Sequence, residues 1–382
     1  MLSLPPLSLY VHIPWCVRKC PYCDFNSHQA DAGLPESDYI AALERDLQEE
    51  LPFVQGRAIG SIFFGGGTPS LFSAEGIQAI LAVINRHLSV KPNAEITLEV
   101  NPGTAEQAKF AGFFQSGVNR LSIGVQSFHA EQLAHLGRIH SAEEAQRAIA
   151  SAIDCGYQHI NIDLMHGLPQ QSTQQALADV QTAIDFGVDH ISWYQLTIEP
   201  NTHFYSSPPT LPCEDVLADI QDAGTALLAE HGYGQYEVSA FAKTGGRSRH
   251  NLNYWRFGDY LGIGAGAHGK LTQVASGKIL RRWKTRQPEH YLRPKSPLAG
   301  ANEVPKAQLL LEFSMNALRL VAGVEKNQFS QTTGLPWPEA TLQPLVDQGF
   351  LQDSDTQFVT TELGMRFLNH VLAEIDRLAK QY

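Results

Sequence analysis

The amino-acid sequence predicts an α/β fold, a partial (β/α)6 barrel followed by a small C-terminal α+β domain. Six short apolar runs rich in β-forming residues recur in the first half of the chain, and amphipathic segments with helical spacing separate them. Strands that alternate with helices pair in parallel, and their right-handed crossovers curl the sheet into a barrel or an open partial barrel. Beyond residue 300 the alternation gives way to short helices and strands, which indicates a separate small domain.

The predicted elements follow one another in a regular order. The strands are Leu7–Ile13, Ser61–Phe64, Glu95–Val100, Arg120–Val125, His159–Leu164 and His190–Leu196. The helical segments are Tyr39–Leu51, Ala74–Leu88, Ala105–Gln115, Glu143–Cys155 and Gln174–Phe186. Residues suited to cap helices stand at their beginnings (Asp38, Ser73, Thr104, Ser141, Ser172) and at their ends (Gly117, Gly156, Gly187). Because parallel α/β sheets bind ligands at the carboxyl ends of their strands, residues there are the candidates for function.

Three regions are predicted: the barrel over residues 1–235, an extension over 236–300, and the C-terminal domain over 301–382. The several prolines of Thr285–Pro305 are typical of a linker. The last region is predicted to contain helices over Lys306–Leu320 and Glu339–Gln348, a Gly-Phe-Leu strand, an Asp-Ser-Asp turn, a strand over Phe358–Thr361 and a final helix. This order is winged-helix-like, and the acidic chain favours a structural or docking role over DNA binding.

Composition and charge exclude several functional classes. Apolar residues make up 43% of the chain and the formal net charge is −11, so a sizeable core is expected and a nucleic-acid partner is not. A short basic run, Arg281, Arg282, Lys284 and Arg286, is typical of a solvated surface. The sequence has no recognisable signal peptide and no apolar stretch of about 18 residues, which predicts a cytoplasmic protein without a transmembrane segment.

Three of the five cysteines lie within eight residues, directly after the first predicted strand. Cys16, Cys20 and Cys23 are spaced Cys-x3-Cys-x2-Cys, and thiolates are the natural ligands of iron–sulfur clusters. A [4Fe–4S] cluster contains four irons, so three thiolates leave one iron open. An open iron can chelate the amino and carboxylate groups of S-adenosylmethionine, and an electron from the cluster can then break a carbon–sulfur bond.

Two other kinds of site also group cysteines together. A structural zinc site normally has a fourth ligand and paired Cys-x2-Cys knuckles, and this segment has only one such pair. Buried core thiols would not gather in a loop beside a proline. The spacing of Cys16, Cys20 and Cys23 therefore favours a cluster with one open iron over zinc or core packing.

The cysteine spacing, with Tyr22 before the last cysteine, resembles the signature of the radical S-adenosylmethionine superfamily. A second segment, Phe64-Gly-Gly-Gly-Thr-Pro69, follows the second predicted strand and resembles the glycine-rich motif of that superfamily. Glycines let the backbone approach a ligand closely and offer it hydrogen bonds. The resemblance implies a radical-SAM partial barrel that holds a [4Fe–4S] cluster and S-adenosylmethionine.

Further motifs resemble the oxygen-independent coproporphyrinogen oxidase family and, within it, the HemW-type haem chaperones. They include Tyr10-Val-His-Ile-Pro, Glu99-Val-Asn-Pro, Gly124-Val-Gln-Ser-Phe128, Leu136-Gly-Arg-Ile-His140, Asn161-Ile-Asp-Leu, Gly167-Leu-Pro169 and Leu261-Gly-Ile-Gly-Ala-Gly-Ala-His-Gly269. By this resemblance the residues around the cluster and S-adenosylmethionine would be Tyr10, Gly66, Gly67, Thr68, Glu99, Gln126, Arg138 and Asp163.

Two features separate the branches of that family. The oxidases carry another cysteine two residues after the third, where this chain has Phe25. The segment His250–Trp255 resembles the haem motif of the chaperone branch, which implies haem contacts by His250, Asn251, Tyr254 and Trp255.

The chemistry of this segment suits haem. Histidine can bind haem iron, and aromatic rings can pack against a flat macrocycle. Arg247, Arg249 and Arg256 could meet the propionates. The axial ligand stays open between His250 and other histidines such as His268.

The sequence leaves three functions open. The favoured one is a haem chaperone that passes haem to acceptor haem proteins. The family resemblance implies respiratory acceptors at the inner membrane and is compatible with a homodimer. The second is a coproporphyrinogen III oxidase that decarboxylates propionates, against which Phe25 argues. The third is a redox or metal-binding scaffold that needs no S-adenosylmethionine.

Overall fold

The computed structural model describes residues 2–30, 33–352 and 354–380. In its first part the strands are β1 (Leu7–Ile13), β2 (Trp15–Cys16), β3 (His28–Gln29), β4 (Ile59–Gly66), β5 (Val90–Val100), β6 (Arg120–Gln126), β7 (His159–His166) and β8 (His190–Gln195). The helices are α1 (Glu36–Glu50), α2 (Ala74–His87), α3 (Thr104–Gln107), α4 (Phe110–Gln115), α5 (Ala130–His135), α6 (Ala142–Asp154) and α7 (Thr173–Asp185). The six predicted strands are confirmed, whereas α5, β2 and β3 were not predicted and one predicted helix is divided into α3 and α4.

The six predicted strands form the frame of the molecule. β1 pairs in parallel with β4, and β4 to β8 follow in order, each in parallel with the next. Parallel neighbours need crossover connections, which the intervening helices supply. This is the predicted partial (β/α)6 barrel.

Residues 196–303 extend both edges of this frame. Their elements are α8 (His203–Ser206), α9 (Glu214–Glu230), β9 (Gly234–Glu237), β10 (Ala240–Ala242), α10 (Arg249–Trp255), β11 (Asp259–Ile263), β12 (His268–Gln273), β13 (Lys278–Lys284), α11 (Pro288–Tyr291) and β14 (Leu298–Glu303). On one side β11 pairs in parallel with β1, and β12, β13 and β14 follow in antiparallel order. On the other side β10 and β9 follow β8. In the part of the chain that the structure describes, the result is one open, twelve-stranded mixed sheet.

The interpretation of residues 285–305 as a linker is wrong. The segment contains α11 and all of β14, and β14 pairs with β13, so this segment belongs to the sheet. The prolines flank these elements instead of interrupting them. Pro288 begins α11, where its missing N–H has no cost, and Pro297 immediately precedes β14.

Side chains alternate along β1 between the helical layer and the barrel interior. Every second residue is at most 2% exposed and packs in the main apolar core: Leu7, Leu9, Val11 and Ile13. The residues between them face the interior, where Ser8 Oγ lies 2.7 Å from Ser61 Oγ and the Tyr10 hydroxyl lies 2.8 Å from His12 Nδ1. The same strands that build the core therefore line the interior with polar groups.

Three of the five predicted N-caps are confirmed. The side chains of Ser73, Ser141 and Ser172 accept hydrogen bonds from backbone N–H groups of their first turns. The other two predictions are wrong: α1 begins two residues before Asp38, and α3 begins at Thr104 itself, whose side chain lies outside the described part. The predicted terminal glycines all adopt positive φ after their helices: Gly117, Gly156 and Gly187.

The C-terminal domain has an apolar core of its own. Its elements are α12 (Leu309–Ala317), β15 (Val324–Glu325), α13 (Lys326–Thr333), α14 (Glu339–Asp347), β16 (Gln357–Phe358), α15 (Glu362–Arg366) and α16 (Leu368–Ala379). β15 pairs antiparallel with β16. Of the predicted strand over 349–351 only a bridge from Leu351 to Thr360 forms, and Asp353 of the predicted turn lies outside the described residues.

Candidate functional site

A cavity of about 660 Å³ opens at the carboxyl ends of the parallel strands. The loop with Cys16, Cys20 and Cys23 forms one wall. Seven of the eight residues predicted to surround the cofactors line the same cavity: Gly66, Gly67, Thr68, Glu99, Gln126, Arg138 and Asp163. Residues from four strands and from the loop after α5 therefore meet in one space, which we call the first cavity.

Backbone hydrogen bonds within the segment from residue 16 to residue 30 shape the cysteine loop. Ala30 N donates to Cys16 O at 3.0 Å, and a turn brings Cys23 N within 3.2 Å of Cys20 O. Burial raises the pKa of the Cys16 and Cys23 thiols. Among the described residues no three His, Cys, Asp or Glu side chains are arranged around a single metal ion. The possible metal ligands on this wall of the first cavity are three cysteine sulfurs. An iron–sulfur cluster is held by such sulfurs, each bound to a different iron.

The glycine-rich turn after β4 packs directly against the start of the cysteine loop. Gly67 N donates to Ile13 O and Thr68 N donates to Trp15 O, both at 2.7 Å. A Cβ atom at Gly67 would lie 2.5 Å from Trp15 O, so only glycine permits this approach. The turn therefore sets the position of the residues next to Cys16.

Two half-buried carboxyl groups lie in the first cavity. Burial, together with the charge of Asp163, raises the pKa of Glu99 to about 8, although Gly66 N donates to it at 3.1 Å. Burial likewise raises the pKa of Asp163, whose oxygens accept from Ser122 at 2.9 Å and from Asn161 at 2.8 Å. Two neighbouring carboxyls that share a buried site favour a cationic ligand.

Arg138 brings a guanidinium under the cysteine loop. Its Nη2 donates to Asn101 Oδ1 at 2.8 Å and to Gly124 O at 2.7 Å, and its Nη1 lies 3.6 Å from Cys20 Sγ. The buried Nε has no hydrogen-bond partner within the part of the chain that the structure describes. Arg138 therefore places positive charge beside a thiol and keeps one donor free.

Asn101, Ser122 and Tyr194 are among the residues of the first cavity that the sequence interpretation missed. Asn101 donates to Thr68 Oγ1 at 2.9 Å, and the Tyr194 hydroxyl donates to Gln126 Oε1 at 2.9 Å. Asn101 directly follows β5 and Tyr194 lies near the end of β8, so the strand-end rule could have found both.

A second cavity, also about 660 Å³, adjoins the first. The two share Asp24, Phe25, Gly66, Glu99 and Trp255 in their walls. Aromatic rings dominate the rest of the second cavity: Tyr10, Phe63, Tyr254, Phe257 and Tyr260. Its volume and apolar lining are typical of a small-molecule site.

Tyr10 lines the second cavity and does not line the first, unlike the other seven predicted residues, and its predicted contact with the cluster and S-adenosylmethionine stays a prediction. It lies in the middle of β1, with its ring 5.7 Å from that of Phe63 and its hydroxyl on His12. A residue in the middle of a strand lies below the strand ends where the cysteine loop sits, which is the physical reason for the difference.

The predicted haem motif is divided between separate spaces. Tyr254 lines the second cavity, Trp255 both large cavities, and Asn251 the first. His250 faces neither, because its 6%-exposed ring stacks on Phe63 with centroids 4.2 Å apart. It borders a polar cavity of about 140 Å³, which Asn251 also lines.

The arginines predicted to meet propionates lie elsewhere. Arg249 and Arg256 line a third cavity of about 520 Å³, away from the second. The Arg247 guanidinium lies 5.6 Å from the centre of the Tyr236 ring. Because residues of one short helix point in different directions, their closeness in sequence did not bring these arginines to the second cavity.

The basic run of β13 is not the solvated surface that its composition predicts. Arg282 and Lys284 are buried and bind Glu50 at 2.9 and 2.6 Å. Arg281 and Arg286 line the second cavity. Alternation along the strand puts Arg282 and Lys284 on one face and Arg281 on the other, so the run divides between an ion-pair cluster and the cavity.

Comparison with known proteins decides the family. The model of the radical SAM superfamily matches residues 10–182, and that of the HemN C-terminal domain matches residues 304–367. The heme chaperone HemW of Escherichia coli (strain K12) is 49% identical over 376 residues, which cover 97% of this chain and 98% of that protein. The chain belongs to the HemW family. Heme chaperone HemW of Haemophilus influenzae is 50% identical over 378 residues, with 97% and 98% coverage.

The fold of this HemW family member is also that of a solved relative. Coproporphyrinogen III oxidase (HemN) from E. coli, a radical SAM enzyme, superposes with a TM-score of 0.81 at 22% identity, over 98% of this chain and 90% of that one. This confirms the predicted fold class and, with the HemW relatives, the family resemblance. Membership of the radical SAM superfamily implies a [4Fe–4S] cluster and S-adenosylmethionine. None of the described helices is both long and apolar enough to cross a bilayer.

Proposed function

We propose that this protein is a haem chaperone, which binds haem and passes it to acceptor haem proteins. We further propose a [4Fe–4S] cluster on Cys16, Cys20 and Cys23, with S-adenosylmethionine in the first cavity. The observation that carries the proposal is the pair of adjoining cavities, one with three thiols and one with aromatic walls, in a chain about half identical to proteins named heme chaperones.

The first cavity offers several groups of S-adenosylmethionine a suitable partner. The cluster, when bound, supplies redox chemistry and an open iron that can chelate the amino and carboxylate groups. Glu99 and Asp163 provide negative charge for a sulfonium cation once they ionise. The turn at Gly66–Thr68 allows close approach of the ligand to backbone groups.

The second cavity suits a flat, amphipathic macrocycle. The rings of Tyr254 and Tyr260 lie edge to face with centroids 4.8 Å apart, and Trp255 forms part of the boundary with the first cavity. Such walls bury an apolar porphyrin face and exclude water, while cationic groups receive its carboxylates. Because Glu99 and Trp255 serve both cavities, a ligand in one changes the surroundings of the other, and the coupling must be reciprocal.

Phe25 favours transport of the tetrapyrrole over its oxidation. It is 58% exposed and stands in the shared wall, at the position where the oxidases resembling this chain carry an additional cysteine. A phenyl ring offers neither a thiolate ligand nor a titratable proton. The likeness to coproporphyrinogen III oxidase therefore concerns the fold.

The test is anaerobic reconstitution of the full chain followed by titration with ferric haem, with and without S-adenosylmethionine. We expect a saturable Soret band, a haem affinity that changes when S-adenosylmethionine is present, and transfer of the bound haem to an added apo-haem protein. Trp255→Ala should weaken the coupling between the two ligands, whereas Trp337→Phe, in the core of the C-terminal domain, should leave it unchanged.

Two results would overturn the proposal. One is absence of saturable haem binding by the reconstituted wild type. The other is conversion of coproporphyrinogen III into protoporphyrinogen IX by the protein with S-adenosylmethionine and a reductant, which would make it an oxidase.

A further inference from the structure

The inner face of the sheet forms a continuous floor under the second cavity. Tyr10 pairs with Phe63 on one side and with Gly262 on the other. Tyr260, on the same face of β11 as Gly262, pairs with Lys270 of β12. His268 lies two residues before Lys270 and therefore on the same face of β12. Side chains of strands β1, β4, β11 and β12 thus face one space, although Phe63 and His268 are 205 positions apart in sequence.

Two histidines line this space among the described residues, His12 and His268. His12 is 4% exposed, and both of its ring nitrogens are engaged, Nδ1 with the Tyr10 hydroxyl at 2.8 Å and Nε2 with Asn26 O at 2.9 Å. Binding a metal through His12 would break one of these buried hydrogen bonds.

His250 is still less available than His12 as a metal ligand. Its Nδ1 lies 3.0 Å from Glu95 Oε1, and its ring stacks against Phe63, whose own ring lines the cavity. Phe63 therefore stands between His250 and any ligand in the second cavity. Freeing the His250 ring to bind a metal would leave the buried Glu95 carboxylate without its imidazole partner, which costs free energy.

His268 has a free ring that is already oriented. The side chain is exposed, and neither ring nitrogen makes a hydrogen bond within the described part of the chain. The ring stacks on that of Trp283, its cross-strand partner in β13, at an interplanar angle of 22°. A neutral imidazole with an unengaged nitrogen is the common protein ligand of haem iron.

Arg281 and Arg286 supply the positive charge of the second cavity on the His268 side, beside the ion-paired Lys270. Arg281 is already bound to Glu312 and to the Tyr260 hydroxyl. Arg286 is exposed, and within the described residues its side chain makes a single polar contact, 3.4 Å from Nε to Asn26 Oδ1. Its planar donor pair is therefore available to a carboxylate.

We propose that His268 supplies the axial ligand to the iron of haem in the second cavity and that Arg286 binds a haem propionate. His250 then acts as a positioning residue for the helix that carries Tyr254 and Trp255. This inference deepens the proposed function and rests on it. It assigns the metal-binding role to a strand residue outside the His250–Trp255 motif.

The axial ligand is tested by titrating the full-length protein with ferric haem and recording its Soret band and EPR spectrum. We expect His268→Ala to change both spectra and added imidazole to restore them, because free imidazole can occupy the vacated space. His203→Ala, an exposed histidine outside the cavities described above, should leave them unchanged. Circular dichroism of each variant verifies that it is folded.

Arg286 is tested with haem and with haem dimethyl ester, which has no free carboxylate. We expect Arg286→Ala to weaken haem binding about tenfold and to leave binding of the ester unaltered. Arg256→Ala, which removes an arginine of the third cavity, is the matched control. Equal effects of Arg286→Ala on haem and its ester would overturn the propionate assignment.

The outcomes separate this inference from the function on which it rests. Failure of the wild type to bind haem would refute both. Wild-type spectra in His268→Ala, a changed ligand field in Tyr254→Phe, or restoration of the wild-type spectra in His250→Ala by added imidazole would refute the His268 assignment while the chaperone function stands.

Discussion

His250 Nδ1 lies 3.0 Å from Glu95 Oε1, which binds this histidine to a buried carboxylate at the edge of the barrel interior. Glu95 also accepts the backbone N–H groups of Arg249 and His250 in the first turn of α10. One side chain of β5 thereby holds the helix whose other end carries Tyr254 and Trp255. The His250–Glu95 pair acts on the second cavity through the position of α10.

Loss of the Glu95 carboxylate should destabilise the fold in a pH-dependent way. Although burial alone would raise the pKa of Glu95, the hydrogen bond and charge of His250 and the charge of Arg120 lower it to about 2, below the ordinary 4.5. Because the folded-state pKa is depressed, the stabilisation is present above pH 4.5 and is lost as pH falls toward 2. Glu95→Gln should lower the free energy of unfolding by about 2–3 kcal/mol at neutral pH.

Urea unfolding of wild type and Glu95→Gln at a series of pH values measures this difference. The two stabilities should converge as the solution becomes acidic. Glu289→Gln, which changes an exposed carboxylate, serves as the control. A difference that stays constant from neutral to acid pH would show that the charge of Glu95 is not responsible.

Binding of S-adenosylmethionine should release a proton. The pKa of Glu99 is raised to about 8 by burial and by the charge of Asp163, so this carboxyl is mostly protonated at neutral pH in the free protein. The sulfonium cation favours the ionised form, and affinity should therefore rise with pH and level off above about 8. Calorimetry of the cluster-loaded protein in buffers of different ionisation enthalpy measures the proton released.

Variants of the two carboxyls check this assignment. Glu99→Gln should remove the rise of affinity with pH, and Asp163→Asn should move it to lower pH because a charge that raises the pKa of Glu99 is gone. The same pH profile in wild type and Glu99→Gln would assign the linked proton to another group.

A methyl group at Gly67 should disturb the cysteine loop. The added Cβ of Gly67→Ala would meet Trp15 O at 2.5 Å and push apart the glycine-rich turn and β2. We expect about 1–3 kcal/mol of lost stability and a lower iron content after reconstitution. Gly60→Ala lies in β4, the strand that precedes this turn, where the nearest atom to the added Cβ is 3.7 Å away, and should retain wild-type iron content. Equal iron contents in the two variants would contradict this prediction.

The ion pairs of Lys284 should contribute strongly to stability. Its Nζ lies 2.5 Å from Asp46 Oδ1 and 2.6 Å from Glu50 Oε1, and all three side chains are at most 1% exposed. Lys284→Met leaves buried carboxylates with less compensation and should cost about 3–5 kcal/mol in urea unfolding. Lys278→Met breaks an ion pair with Glu303 that is about half exposed, and should cost less than about 1 kcal/mol. Similar losses of unfolding free energy in the two variants would refute the idea that burial makes the Lys284 ion pairs more important for stability.

Part of the first cavity could be predicted because local sequence patterns mark those residues. The spacing of Cys16, Cys20 and Cys23 is visible within eight residues, and Gly66, Glu99 and Gln126 stand at or near strand ends. No comparable local pattern in the sequence identifies the residues of the second cavity. Tyr10, Phe63 and His268 lie inside or at the start of strands, and only the register of β1, β4, β11 and β12 brings them together.

The sequence by itself determined the order of the six strands, the parallel frame and the thiol loop, because apolar periodicity and close spacing are properties of neighbouring residues. Tertiary structure alone decided that His268 lines the second cavity and that His250 does not. His250 is held by Glu95, which lies 155 positions earlier, and His268 is left free beside Trp283. Such choices depend on strand register and on burial of charged groups, and these arise only when distant segments pack.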